Sequence, residues 1–201
     1  MGWDIDIEVQ EGDALIVADV QNDFLPGGAL GIEGGDAVIG PLNRVMRLFA
    51  AAGLPIYCSR DWHPDHHCSF TGQGGIWPDH CIVGTVGAEF AAELDLPDDA
   101  VVISKATNPD RDAYSALEGT DLGERLEARQ IRRVFIGGLA TDYCVRATVL
   151  DLIDAGFDVV VIDDAIAAVD ANAGDGDKAL RQMVTAGATR ANSSQIVASP
   201  S

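Results

Sequence analysis

Val134-Phe135-Ile136-Gly137-Gly138-Leu139-Ala140-Thr141-Asp142-Tyr143-Cys144-Val145-Arg146-Ala147-Thr148 is the stretch from which the fold can be read. Its first three residues have the β-branched and aromatic content of a buried strand. From Val145 to Leu152 the apolar residues recur at helical spacing, with Thr141 or Asp142 as the N-cap. Cys144 is thereby placed where a strand hands over to a helix N-terminus. Free N–H groups and the helix dipole favour an anion there, which predicts a lowered thiol pKa and a populated thiolate. The same N–H groups can bind a developing oxyanion. The alternative is a buried structural cysteine, the commoner fate of a free thiol.

Outward from this stretch the same pattern repeats. Strand-like apolar runs occur at Ala14–Val20, Leu54–Ser59, Ala100–Ser104, Arg133–Gly137 and Phe157–Asp163, with a weaker one near Gln195–Ala198. Helical patterns fall between most of them, at Ala37–Ala52, Ala88–Leu94, Leu122–Arg129, Asp142–Ala155 and Asp177–Ala186. Continuously apolar strands alternating with helices predict a mostly parallel sheet covered on both faces. The expected fold is a three-layer α/β/α, doubly wound, Rossmann-like domain spanning residues 1–201. Ligands in such sheets bind beyond the carboxyl ends of the strands. Asp19, Asp61, Lys105 and Cys144 all fall at those ends. The irregular stretch Asp61–Gly87 is too long for a connector and reads as a functional loop.

Composition narrows the function classes. The net charge is −19, with 24 Asp, 8 Glu, 11 Arg and only two Lys. Such a surface repels nucleic acid and anionic membranes. Many acidic residues with almost no lysine are typical of a salt-rich cytoplasm, where screening removes most of the self-repulsion. No apolar run has the length of a membrane span, and the acidic residues 1–12 do not read as a signal peptide, so a soluble cytoplasmic protein is expected. Cys58, Cys68, Cys81 and Cys144 form no C-x-x-C pair and read as thiols.

Three groups of residues carry chemistry. Asp19, Lys105 and Cys144 make a base, a cation and a nucleophile, since a thiol attacking a carbonyl needs a proton acceptor and charge support. Asp19 behind an apolar strand is expected to have a raised pKa. A turn role for Asp19, with Asp23 in its place as base, stays open here. All four histidines, His63, His66, His67 and His80, lie within eighteen residues. Asp61-x-His63 puts two ligands on the same side of an extended segment, and His80 can close the set. One carboxylate and two imidazoles suit a catalytic divalent ion, best Zn²⁺, with Fe²⁺ or Mn²⁺ as alternatives. His66 and His67 compete for a secondary role. Phe24, Trp62, Trp77 and Tyr114 follow strand ends. Trp62 reads as satellite packing, whereas Phe24 and Trp77, flanked by Gly and Pro, can wall a flat ring.

These motifs resemble a known family. Asp19-Val-Gln-Asn-Asp-Phe24, Arg60-Asp-Trp-His-Pro64, His67-Cys-Ser-Phe70, Trp77-Pro-Asp-His-Cys81 and Gly84-Thr-Val-Gly-Ala-Glu-Phe90 look like the nicotinamidase group of the isochorismatase-like cysteine hydrolases. Lys105-Ala-Thr-Asn-Pro-Asp110, Tyr114-Ser115 and Gly138-Leu-Ala-Thr-Asp-Tyr-Cys-Val145 continue the likeness, which runs from about residue 13 to 165. The resemblance implies that Cys144 attacks the carboxamide of nicotinamide, with Asp19 as base then acid and Lys105 in support. Nicotinate and ammonia are the implied products, by way of a thioester. It implies metal ligands at Asp61, His63 and His80, with His67 aligned to a fourth ligand of some members. Phe24 and Trp77 would sandwich the ring, with Tyr114 beside them. Ala140 and Cys144 would donate the oxyanion N–H groups after a cis Leu139-Ala140 peptide. Leu117 departs from the family's usual Phe, and Cys68 fills a variable slot. The partner implied is a small molecule, nicotinamide or a close analogue such as pyrazinamide, and homo-oligomerisation stays open. A carbamoyl or ureido amidohydrolase would lack the histidine loop, an isochorismatase-type vinyl-ether hydrolase would not need Cys144, and a binding module would leave Asp19, Lys105 and Cys144 without a purpose.

Overall fold

Ala14 and Ile16 on one side of a strand, Leu15 and Val17 on the other, are all fully buried. A strand covered on both faces is built this way. In this computed structural model, which describes residues 6–199, they belong to β2 (Asp13–Ala18), a central strand of a six-stranded sheet. Residues 1–5 of the acidic N-terminal stretch, and the last two residues of the expected domain, lie outside the described residues.

After β1 (Ile7–Val9) and β2 come α1 (Ile39–Ala51), β3 (Ile56–Asp61), β4 (Val101–Lys105), α2 (Leu122–Ala128) and β5 (Arg133–Leu139). Then follow α3 (Arg146–Asp154), β6 (Asp158–Ala167), α4 (Asp175–Ala186), β7 (Thr189–Ala191) and β8 (Ile196–Ala198). The sheet order is β4-β3-β2-β5-β6-β7, with every neighbouring pair parallel. Strand order therefore reverses between β2 and β5, and a doubly wound sheet opens its ligand crevice at that point.

The two faces carry separate cores. Leu15, Val17, Phe135 and Ile162 pack with Leu42, Val45, Met46 and Phe49 of α1, and the Phe49 and Phe135 rings meet edge-on at 5.4 Å. Ala14, Ile16, Ile136 and Val161 pack with Leu122 and Leu126 of α2, Val149 and Leu152 of α3, and Met183 of α4. The three-layer parallel architecture expected from the apolar runs is thus observed. No helix among the described residues is long and apolar enough to cross a membrane.

Three local expectations are corrected, and a fourth is observed. Ala88–Leu94 is not a helix: Ala88 O accepts from the Gln21 side chain, Glu89 O accepts from Asn22 N, and Phe90 bridges Gln21, so tertiary bonds take the groups a helix needs. The helix at Asp142–Ala155 begins as a wide π-type turn over Thr141–Val145 before α3. Neither Thr141 nor Asp142 caps it, since the cap position falls on Ala140 without a side-chain bond. The weak strand near residue 196 exists as β8, but it pairs with β1 in a separate two-stranded sheet. Strands β1 and β7, of three residues each, have no apolar signature strong enough to read.

Candidate active site

Parallel register sets the first contact. Asp61, the last residue of β3, pairs directly with Lys105, the last residue of β4. Side chains at one register position share a face, and Lys105 Nζ donates a short hydrogen bond to Asp61 Oδ1. The same ammonium lies 3.1 Å from Asp19 Oδ2 and 3.4 Å from Cys144 Sγ, and donates to Ala113 O at 3.3 Å. Asp19 follows β2 with φ 49°, a turn that swings its side chain over the sheet edge, where Ser59 Oγ donates to its Oδ1 at 2.7 Å. Strand ends of β2, β3, β4 and β5 thus deliver four reactive groups to one point, all buried.

Cys144 reaches that point through close strand packing. A Cβ on Gly138 would stand 2.0 Å from Ala18 O, and φ there is +124°, so glycine alone lets β5 approach β2 so tightly. The Leu139-Ala140 peptide is cis. Ala140 O then accepts from both Tyr143 N and Val145 N at 3.1 Å, and the intervening N–H of Cys144 makes no bond to it.

The electrostatics correct one expectation. Burial pushes the Cys144 thiol well above its usual range; Lys105 opposes this, but Asp19 and Asp61 add to it. The sequence places Cys144 at an open helix N-terminus, whereas the fold buries it between two carboxylates. Burial also raises Asp19 against the pull of Lys105, with Asp61 contributing to the rise. Burial by itself would raise Asp61, but the Lys105 ammonium beside it outweighs this and holds that carboxyl below its usual range. Lys105 stays well above its ordinary value: burial disfavours the cation, and Asp19, Asp61 and Cys144 more than offset that. The group therefore rests with a neutral thiol, a fixed ammonium and a carboxyl of raised pKa beside the sulfur.

Asp61 turns its other oxygen to the histidines. Its Oδ2 lies 3.6 Å from His63 Nε2 and 4.0 Å from His80 Nε2, and the two imidazole nitrogens are 3.2 Å apart. His63 Nδ1 meets Ala106 O and His80 Nδ1 meets Pro78 O at 2.8 Å. A carbonyl only accepts, so Nδ1 carries the proton in both rings and both Nε2 lone pairs face Asp61. Three buried acceptor atoms within 4.8 Å of one another fit a divalent cation. His67 is placed differently. Ser69 N donates to its Nδ1, and its Nε2 donates to Arg111 O at 3.2 Å, so both nitrogens have protein partners. It stacks on His63 at 4.2 Å between ring centroids and lies outside the converging set, while His66 is exposed.

Above both groups lies a narrow cleft, partly open to solvent. Cys144, Ala140, Asp61 and His80 line it beside Phe24, Trp77 and Tyr114. Trp77 Nε1 donates to Tyr114 OH at 2.9 Å, and Phe24 lies 5.7 Å from the His80 ring. The walls are aromatic and aliphatic, which suits a flat, weakly polar ring.

The chain matches the isochorismatase domain over residues 13–195. It is 36% identical to a nicotinamidase of Escherichia coli over 197 residues, covering 88% of this chain and 92% of that one. The chain belongs to the isochorismatase family. A solved structure of a pyrazinamidase of Pyrococcus horikoshii in complex with zinc shares 48% identity and superposes with a TM-score of 0.86, covering 90% of this chain and 99% of its own. PnC1 from L. infantum, solved in complex with nicotinate, shares 35% identity at a TM-score of 0.90, covering 97% and 100%.

In this isochorismatase-family fold, several residues shape the site without having been singled out. Gln21 is fully buried: its amide donates to Asp61 O and Ala88 O and accepts from Asp61 N, gripping the backbone of the carboxylate shared by both groups. Its alternation with Asp19 and Asp23 was the available signal. Asp23, the alternative base, accepts instead from Cys81 N at 2.7 Å and so ties the Phe24 turn to the His80 loop. Tyr143 meets Trp77 edge-on at 5.1 Å, and Leu30, Ile32 and Val169 complete the wall. Trp62 is half-buried outside the cleft lining, with the Arg60 guanidinium over its ring at 3.6 Å from the centroid. Leu117 packs at the edge of the core beneath α2 and does not line the cleft. All four cysteines are free.

Proposed function

We propose that this chain is a nicotinamidase, hydrolysing nicotinamide and water to nicotinate and ammonia through a thioester on Cys144. The observation that carries the reading is the single ammonium of Lys105 touching Asp19, Asp61 and Cys144 at the floor of an aromatic cleft. A neutral thiol needs a base before it can attack, and Asp19, with its raised pKa, is that base. It takes the thiol proton as sulfur adds to the carboxamide carbon. The oxyanion that forms is held by the N–H groups of Ala140 and Cys144. Asp19 returns the proton to nitrogen, the C–N bond breaks and ammonia leaves. Water, deprotonated by Asp19, then cleaves the thioester and releases the carboxylate with the thiol restored. Lys105 keeps both charges in register throughout.

Asp61, His63 and His80 would hold the divalent ion; zinc suits the donor set best, and iron(II) or manganese(II) take the same donors. When bound, the ion supplies a Lewis acid for the ring nitrogen of the substrate. Phe24, Trp77 and Tyr114 grip the ring, and we assign His67 a supporting rather than a ligating place. The whole of residues 1–201 is taken as one domain. Such an enzyme acts in pyridine nucleotide salvage in the cytoplasm, here of a salt-rich cell given the charge of −19. It needs no nucleic acid or membrane partner, and a homo-oligomer is compatible with it.

The decisive measurement is ammonia release from nicotinamide, pyrazinamide and a panel of ureido and aliphatic amides, with added zinc and at high salt. Turnover should be confined to the aromatic amides and disappear in Cys144→Ala. Retained activity in that variant, or preference for a ureido substrate, would overturn the reading.

A further inference from the structure

The turn that carries Cys144 also holds a wall of the cleft. Asp142 is 4% exposed, and its two carboxylate oxygens are spent outside its own turn. Oδ1 accepts from Val169 N at 2.9 Å and Oδ2 from Asp170 N at 3.0 Å. Those two residues lie just beyond β6, where the chain has left the sheet after pairing Ala167 with Leu139. Val169 lines the cleft beside Tyr143 and Cys144, yet the residue is 37% exposed and gains little hold from packing. Asp170 is kept at φ 49°, and its own carboxylate accepts from Gly176 N at 2.7 Å in the first turn of α4. A Cβ on Gly176 would lie 2.6 Å from that of Ala168, so the segment also sits tightly on the helix.

We propose that Asp142 is a positioning residue that latches the Val169 wall to the nucleophile turn and thereby fixes the width of the ring that the cleft admits. A carboxylate receiving one N–H on each oxygen defines both distance and orientation, as a charge-assisted bidentate contact does. The latch acts through Val169 and not on sulfur, so it governs how a ring is held more than how fast the held carboxamide reacts. It rests on the nicotinamidase reading for its substrate, but not for its geometry.

The test uses Asp142→Asn, which keeps one acceptor and turns an amide donor toward a donor, and Val169→Ala, which keeps the latch and shortens the wall. Both should raise the KM for nicotinamide about tenfold, as expected for lost apolar wall contact, with kcat changed less than about threefold. Both should raise kcat/KM for a ring-methylated nicotinamide relative to nicotinamide. Amide hydrogen exchange, which needs no substrate, should show Val169 and Asp170 protected in the wild type and released in Asp142→Asn. A fall in kcat at unchanged KM in Asp142→Asn, a wild-type KM in Val169→Ala, or unaltered protection of the two amides would each overturn the latch. Should Asp142→Asn not fold, Val169→Ala and the wild-type exchange pattern decide. Absence of wild-type turnover on nicotinamide would defeat the functional reading alone, leaving the latch to be judged by exchange.

Discussion

Lys105 Nζ lies 3.1 Å from Asp19 Oδ2 with neither side chain exposed to solvent, and the same ammonium neutralises Asp61. A buried cation between two buried carboxylates is costly to assemble and far more costly to break, because truncation leaves uncompensated charge. The chain's other lysine, Lys178, is exposed on α4. The two therefore predict opposite outcomes. Lys105→Ala should lose activity and about 3–5 kcal/mol of stability, a fall in melting temperature of roughly 6–20 °C for a chain of this size. Lys178→Ala should stay within about 0.5 kcal/mol of the parent. Calorimetry of the metal-free variants checks both, and similar melting temperatures would contradict the network.

The histidines divide in the same way. His80 Nε2 faces Asp61 and His63, while both nitrogens of His67 are engaged by Ser69 and Arg111. Chelation should weaken nicotinamide binding and added zinc should restore it. His80→Ala should lower zinc affinity beyond the roughly 10–100-fold cost of losing an outer contact. His67→Ala should keep stoichiometric zinc and lose only stability. Zinc content after dialysis separates the two, and equal loss from both variants would make His67 a ligand.

The parts of the site that were legible in the sequence are those carried by strand ends. Apolar runs fixed where Asp19, Asp61, Lys105 and Cys144 would emerge, and parallel register brought them together. The thiol pKa was not legible, because its direction is set first by burial in the folded chain, to which two carboxylates arriving from β2 and β3, remote in sequence, add. The turn after Val86 was misread for a related reason. Residues Ala88–Leu94 have helical composition, but the buried amide of Gln21 claims their backbone. Short strands such as Thr189-Arg190-Ala191 exist only because β6 offers them an edge.

Acidity should switch the reaction off through Asp19. Burial, with Asp61 adding, raises this carboxyl despite Lys105, and it must be deprotonated to take the thiol proton. Activity is therefore present above its folded pKa and lost as the pH falls through it. The acid limb of kcat/KM should lie above the ordinary carboxylate value of about 4. Bound zinc must be measured at each pH so that ligand protonation is not mistaken for loss of the base. A limb at the ordinary value, with metal retained, would remove Asp19 from that role. Asp19→Asn should cost about 10²–10⁴-fold in kcat.

Salt should act on the whole molecule. A net charge of −19 is carried by a chain whose exposed ion pairs include Arg47–Asp95, Arg111–Glu118 and Arg125–Asp121, too few to balance the remaining carboxylates. Self-repulsion of that size destabilises the compact state, and the Debye length shrinks from about 10 Å at 0.1 M salt to about 3 Å at 1 M. The melting temperature should accordingly climb with potassium chloride, most steeply below about 1 M, where screening changes fastest. Activity should follow the folded fraction. Replacing several exposed Asp by Asn should flatten the salt dependence without altering KM, because no exposed Asp lines the cleft. A melting temperature independent of salt would show that packing, not repulsion, sets the stability of this chain, and would withdraw the reading of a salt-rich origin.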